Sequence, residues 1–323
     1  DLNQAKFKDA KDIGLKKVNM TGGEIFCRSD SIELIKDTIN MGLNVSIETN
    51  GTMITESQIK ELSQYKDNLS MSISLDGITS ETNNLTRGNG SFEKTFNTIK
   101  TIKKYNIPLR IITVLSDNNY DEIPKLAKTI HEELGLGFRL LPNIIEYGKG
   151  VTANDEYGVS YPKIKKLMDD FYYDFLRKHA EDENLTIELN MAIIPIDIYR
   201  HSFCPWGKAM LGIGYSGNVA LCHVASDNDM FIFDNVKNNK ISDIWKYNKK
   251  LLKFVNENPD DLKGVCGNCL ARSLCRGGCR LHAMSKYLGD FYAPDPDCQK
   301  VYDIGMFPEY ALDDVEKVCN YEK

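Results

Sequence analysis

No run of 18 apolar residues occurs anywhere in this chain, so no segment is written to cross a membrane as a helix. No basic surplus exists either. Lys and Arg number 40 against 46 Asp and Glu, a net charge of -6, which argues against a nucleic-acid backbone as partner. Glycine and proline are at ordinary levels, which excludes collagen-like or disordered character for the whole chain. No basic stretch followed by an apolar run comes after Asp1, so a cytoplasmic location is expected. Cysteine is nearly absent from the first 200 residues, where Cys27 stands alone. The other eight crowd into the remainder, at positions 204, 222, 266, 269, 275, 279, 298 and 319. A secreted scaffold would spread its disulfides, and an odd count leaves one thiol over. An intracellular metal domain is the better reading.

What is present is enough for two domains, since 323 residues at about 150 per domain suggests that number. Through the first half, strand-like runs alternate with helical ones. Strands are expected at about 16–21, 43–49, 69–75, 109–115 and 136–142. Helices are expected from "LNQAKFKDAKDIGL", at 30–41, at 55–66 with Thr55 as N-cap, from Ser91 as cap through "SFEKTFNTIKTIKKYN", and at 121–134. Alternation of this kind makes a parallel α/β sheet. A long helix follows at about 160–181, and "LTIELNMAIIPIDIY" reads as strand material leading into the second domain.

Polar residues gather at the C-terminal ends of these strands: Thr21, Gly22, Gly23 and Glu24, then Glu48 and Asn50, then Ser74 and Asp76. Parallel α/β folds place ligands at that edge. Glycines let backbone approach a ligand, and an adjacent carboxylate can hold an ammonium group. The same glycine pair is also ordinary turn material. Arg87, in "TRGNG", could meet a carboxylate or simply stay solvated in a loop.

The cysteine spacing is more specific. Cys204-x17-Cys222 is followed by Cys266-x2-Cys269-x5-Cys275-x3-Cys279 and then x18 to Cys298. Soft thiolates at such spacing suit zinc or an iron–sulfur cluster, and spacing alone leaves both open. Cys27, after "GGEIF", is expected to be a buried small hydrophobe. Cys319 could be a spare thiol or an extra ligand. His201 and His223, which flank Cys204 and Cys222, could ligate, though supporting or surface roles are expected, and His282 is expected to pack or cap.

Together, "MTGGE", "SISLDG", "LTRGNGSFEKTFNTI", "CPWGKAMLGIGYSGNVALC", "CGNCLARSLCRGGC" and "DPDC" resemble radical S-adenosylmethionine enzymes with a SPASM domain. The resemblance implies a partial (β/α)6 TIM-like barrel over 1–195, a small Cys-rich iron–sulfur domain over 196–305 and a tail over 306–323. It implies that Thr21, Gly22, Gly23 and Glu24 meet the methionyl amino end of S-adenosylmethionine. Glu48, Asn50, Ser74 and Asp76 would lie at the cofactor or substrate edge, and Arg87 near the cofactor carboxylate. Two auxiliary clusters, of 4Fe-4S type, are implied: one on Cys266, Cys269, Cys275 and Cys298, the other on Cys204, Cys222 and Cys279. The second set is one protein ligand short, a place for Cys319, His201, solvent or a substrate thiolate.

One family feature does not occur in these residues. The three-cysteine CxxxCxxC loop and the barrel strand before it should precede Asp1, and a segment carrying them, with a further 4Fe-4S cluster, is expected there. Five strands of six would otherwise expose a parallel edge, which natural folds avoid. The resemblance implies cleavage of S-adenosylmethionine to a 5'-deoxyadenosyl radical that takes a hydrogen from a ribosomally made peptide. The product would be a thioether, a carbon–carbon crosslink or an epimerised residue. A flavodoxin or ferredoxin would donate electrons, and leader-peptide recognition could lie in the preceding region. The alternatives are a relative that makes a haem-type or quinone cofactor, or a metal-stabilised binding protein without catalysis.

Overall fold

Period-two alternation builds the first sheet. In the computed structural model, which describes residues 2–142, 144, 146–188, 193–194 and 204–313, its strands are β1 (Lys17–Met20), β2 (Asn44–Thr49), β3 (Leu69–Ser74), β4 (Leu109–Val114), β5 (Gly137–Leu141) and β6 (Leu185–Ile187). They lie in the order β1-β2-β3-β4-β5-β6, and the pairs from β1 to β4 are parallel. The sheet thus has one strand more than the five expected. "LTI" joins it as β6, while most of the rest of that apolar run lies outside the described residues.

One face of the sheet is a dry core. Val45, Ile47, Met71, Ile73, Ile111, Phe138 and Leu140 are buried there, each contributing roughly 2 kcal/mol by leaving water. Ile35, Ile59, Leu62, Ile99 and Ile102, from the intervening helices, are equally buried. Alternate positions are polar. Asn19, Ser46, Ser70, Ser72 and Arg110 fall on the other face by strand register, and the Ser70 hydroxyl donates to Ser46 Oγ at 3.2 Å.

Local signals explain the helix starts, with two corrections. Thr55 caps Glu56–Leu62 through a reciprocal box: its hydroxyl accepts from Gln58 N, and Gln58 Oε1 accepts from Thr55 N at 2.9 Å. Ser91 does not cap its helix. It is the first helical residue of Ser91–Lys104, Gly90 takes the left-handed cap position, and the Ser91 hydroxyl bonds Asn83 and Asn84 instead. Nor is 160–181 one regular helix. Tyr161–Leu167 and Tyr173–Lys178 flank a π-helical turn at Met168–Tyr172.

The chain forms two compact units. One comprises residues 1–140, 183–185 and 234–247; the other comprises 141–182, 186–233 and 248–323. A three-stranded sheet of β7 (Gly212–Ile213), β8 (Asn218–Ala220) and β9 (Ile232–Asn235) contains the antiparallel pair β7–β8, which leads into Cys222. No helix among the described residues is long and apolar enough to cross a membrane.

Candidate active site and metal centres

At the C-terminal end of β1 the chain turns through Gly22 and Gly23, with φ of 88° and 54°. Side chains resist that region, and a Cβ placed on either glycine would meet nothing within 4 Å, so the space beside them is open. Glu24 closes the turn. Its Oε1 accepts from Thr49 Oγ1 at 2.7 Å and Phe26 N at 3.2 Å, and its Oε2 accepts from Asn50 N at 2.9 Å. A carboxylate has about four acceptor positions, so one stays available. Thr21 donates its hydroxyl to Glu48 Oε2 at 3.0 Å. Asn50 spends its side-chain oxygen on Thr52 N and Thr52 Oγ1, at 2.8 and 2.7 Å, which leaves it a turn-former.

Ser74 ends β3, half-buried. Asp76 is buried, and its carboxylate is engaged on both sides. Oδ1 accepts from Val114 N at 3.0 Å; Oδ2 accepts from Arg87 Nε at 2.5 Å and Thr86 Oγ1 at 3.3 Å. Arg87 is therefore no loose loop arginine. It ends the helix Ser80–Arg87 and is aimed by Asp76, with its remaining guanidinium donors still to be placed.

The cysteines fall into two groups. Cys266, Cys269, Cys275 and Cys298 line one pocket, with Asp295, Arg272 and Phe307. Cys266 and Cys275 come from the short helices Gly264–Gly267 and Arg272–Cys275, Cys269 from an isolated bridge to Leu312, and Cys298 from the helix Pro296–Asp303. Burial pushes their thiols up, Cys275 to about 11 and Cys266 and Cys298 well above the usual thiol range. Cys204, Cys222 and Cys279 form the other group. Burial raises all three, Cys204 to about 11 and Cys279 to about 12, and Cys279 also feels the charges of the other two. The donor set fits the implied groups, because sulfur-only ligation is what a soft metal cluster takes. Among the described residues, no three His, Cys, Asp or Glu side chains converge on a point that one metal ion could occupy.

Both halves of this layout match known families. The Radical SAM superfamily matches residues 3–130, and the SPASM iron–sulfur cluster-binding domain matches residues 204–270. The chain carries a radical SAM domain and a SPASM domain. It is 26% identical over 313 residues to the AdoMet-dependent heme synthase of Methanosarcina barkeri, covering 90% of this chain and 84% of that one. It is also 26% identical over 307 residues to the PqqA peptide cyclase of Rhizobium meliloti, covering 90% of this chain and 76% of that one. In fold it is similar to Streptococcus suis SuiB bound to precursor peptide SuiA, with a TM-score of 0.70, 20% identity, and coverage of 92% and 68%.

Beyond the matched residues 204–270, Asp295 is the residue that spacing did not reveal. Its Oδ1 accepts from Asp297 N and Cys298 N at 3.0 and 3.1 Å, and its Oδ2 accepts from Cys279 N at 3.3 Å. Its own N–H donates to Cys266 Sγ at 3.3 Å, so one residue touches both cysteine groups. Its position in a D-P-D run before Cys298 was the available signal: an acidic N-cap followed by Pro at N1. His282 is buried, and burial lowers it toward the neutral form. Cys27 is exposed rather than buried, because the turn Ile25–Cys27 buries Ile25 and Phe26 in its place. His201 and Cys319 lie outside the described residues.

In the radical SAM domain, Asp76→Ala is expected to cost about 3 kcal/mol, because it leaves Val114 N–H and a part-buried guanidinium without an acceptor. Asp76→Asn keeps an oxygen toward Val114 and should lose about half as much. Urea unfolding of the two variants checks this, and an alanine variant within experimental error of the parent would contradict it.

Proposed function

We propose that this radical SAM enzyme removes a hydrogen atom from a peptide substrate during peptide maturation. The open glycine turn, the spare acceptor of Glu24 and the aimed guanidinium of Arg87 carry the reading. Glu24 and the backbone of Thr21–Gly23 would hold the amino group of S-adenosylmethionine. Arg87, held by Asp76, would hold its carboxylate by charge-assisted hydrogen bonds. Glu48, Asn50 and Ser74 would border the cofactor and substrate. Cys266, Cys269, Cys275 and Cys298 would ligate one auxiliary cluster, and Cys204, Cys222 and Cys279 a second. The match of residues 204–270 to the SPASM iron–sulfur cluster-binding domain supports a cluster over zinc. When bound, S-adenosylmethionine and a further iron–sulfur cluster would supply the radical. The protein's task is to orient both partners and exclude water.

The test uses full-length protein, loaded with iron and sulfide without oxygen, given S-adenosylmethionine and a one-electron reductant. Formation of 5'-deoxyadenosine is expected. A precursor peptide encoded beside the gene should then lose two hydrogens on crosslinking, or take up solvent deuterium without mass loss in light water on epimerisation. A fully loaded protein that makes no 5'-deoxyadenosine sinks the reading. The similarity to a heme synthase favours a tetrapyrrole as second candidate, and a tetrapyrrole altered where the peptide is not would establish that instead.

A further inference from the structure

Arg280, the residue after Cys279, is 1% exposed and among the largest fully buried side chains. One Nη donates to Phe291 O and Ala293 O, each at 2.7 Å, and the other donates to Gly277 O. Those carbonyls belong to the segments that carry Cys275 and Cys279 on one side and lead to Cys298 on the other. Gly277 makes room for this: a Cβ there would stand 2.4 Å from Arg280 Nη2. Arg280 Nε is buried with no hydrogen-bond partner.

Three carbonyls could bracket two loops without a full charge, which burial makes costly. A neutral amide side chain would be cheaper to desolvate. A retained buried cation needs nearby negative charge, and the carboxylate of Asp295 supplies one unit at most. The thiol groups supply more once they are ionised. Gly277 and Asp295 line the same pocket as the four thiols, and Arg280 holds the Gly277 carbonyl, which sets its cation beside that pocket.

We propose that Arg280 is a positioning residue for the four-thiol site: its fixed cation offsets the anionic ligand shell, and its carbonyl bracket sets the spacing of the ligand loops. The proposal rests on the reading of that site as a cluster site. Without the cation, an anionic cluster gains an electron less readily, so its potential falls.

Full-length protein, loaded without oxygen, is compared as parent, Arg280→Lys and Arg280→Met. Iron and sulfide per chain are measured, and auxiliary-cluster signals are followed by electron paramagnetic resonance through a reductive titration. The Met variant is expected to load the four-thiol site poorly, or to show its signal only at more negative potential. The Lys variant keeps the charge but not the bracket, so it should hold a potential near the parent's and unfold at lower urea. If the Met variant does not fold, a Lys variant whose potential falls well below the parent's overturns the proposal, and one near the parent's supports it. A Met variant equal to the parent in loading and potential overturns it alone. A parent that takes up no iron and sulfide overturns the functional reading and the proposal together.

Discussion

Cys298→Ala is expected to remove one whole cluster, lowering iron and sulfide by about four each per chain. The thiol is 5% exposed in a pocket it shares with three others. Cys279→Ala should remove a comparable amount from the other set. The double variant should lose the sum, because the two sets are separate ligand shells. Cluster binding is also folding free energy, so each single variant should lose at least about 3 kcal/mol of stability. Iron and sulfide assays with urea titration read both effects. If either single variant loses the iron of both sets, or neither loses any, the assignment of ligands to two groups fails.

Asp295→Ala should be nearly as damaging, by a different route. It strips the N-cap of the helix Pro296–Asp303, worth about 1 kcal/mol, and leaves Cys279 N–H without its acceptor, worth about 2 kcal/mol more. Both cysteine groups are expected to lose metal, since the carboxylate holds the backbone of Cys279 and Cys298 together. Asp295→Asn keeps one oxygen for the cap at Asp297 and Cys298 but turns an amide N–H toward the Cys279 N–H, so it loses that bond together with the negative charge. The four-thiol set should stay better loaded than in the alanine variant, while the Cys279 set loses metal as the alanine variant does. Loss from the four-thiol set equal to that in the Ala variant would contradict this role of the cap.

The strand ends were readable because each is marked by chemistry that has no other use there. Asn50-Gly51 and Asp76-Gly77 close β2 and β3 where a parallel sheet must turn outward. β6 was not placed because three residues carry no period, and its apolar neighbours continue the same run. The π-turn at Met168–Tyr172 left no mark either, since hydrogen-bond slippage inside a helix does not change which residue types suit it. At the candidate site, the cysteine groups were legible from spacing, because chelation constrains distance along the chain. The roles of Asp76 and Arg280 were not. Both act through backbone groups contributed by distant segments, and sequence shows the side chain but not the N–H or carbonyl it will meet.

The polar face of the first sheet has a chemical consequence. Its positions in register include Asn19, Ser46, Glu48, Ser70, Ser72, Arg110 and Ile112, none of them a thiol, thioether, phenol or indole. Sulfur and electron-rich rings are the groups that give up an electron or a hydrogen most readily. For the proposed radical chemistry, such a face lacks the fastest quenchers and leaves only aliphatic C–H bonds to compete with the substrate's own.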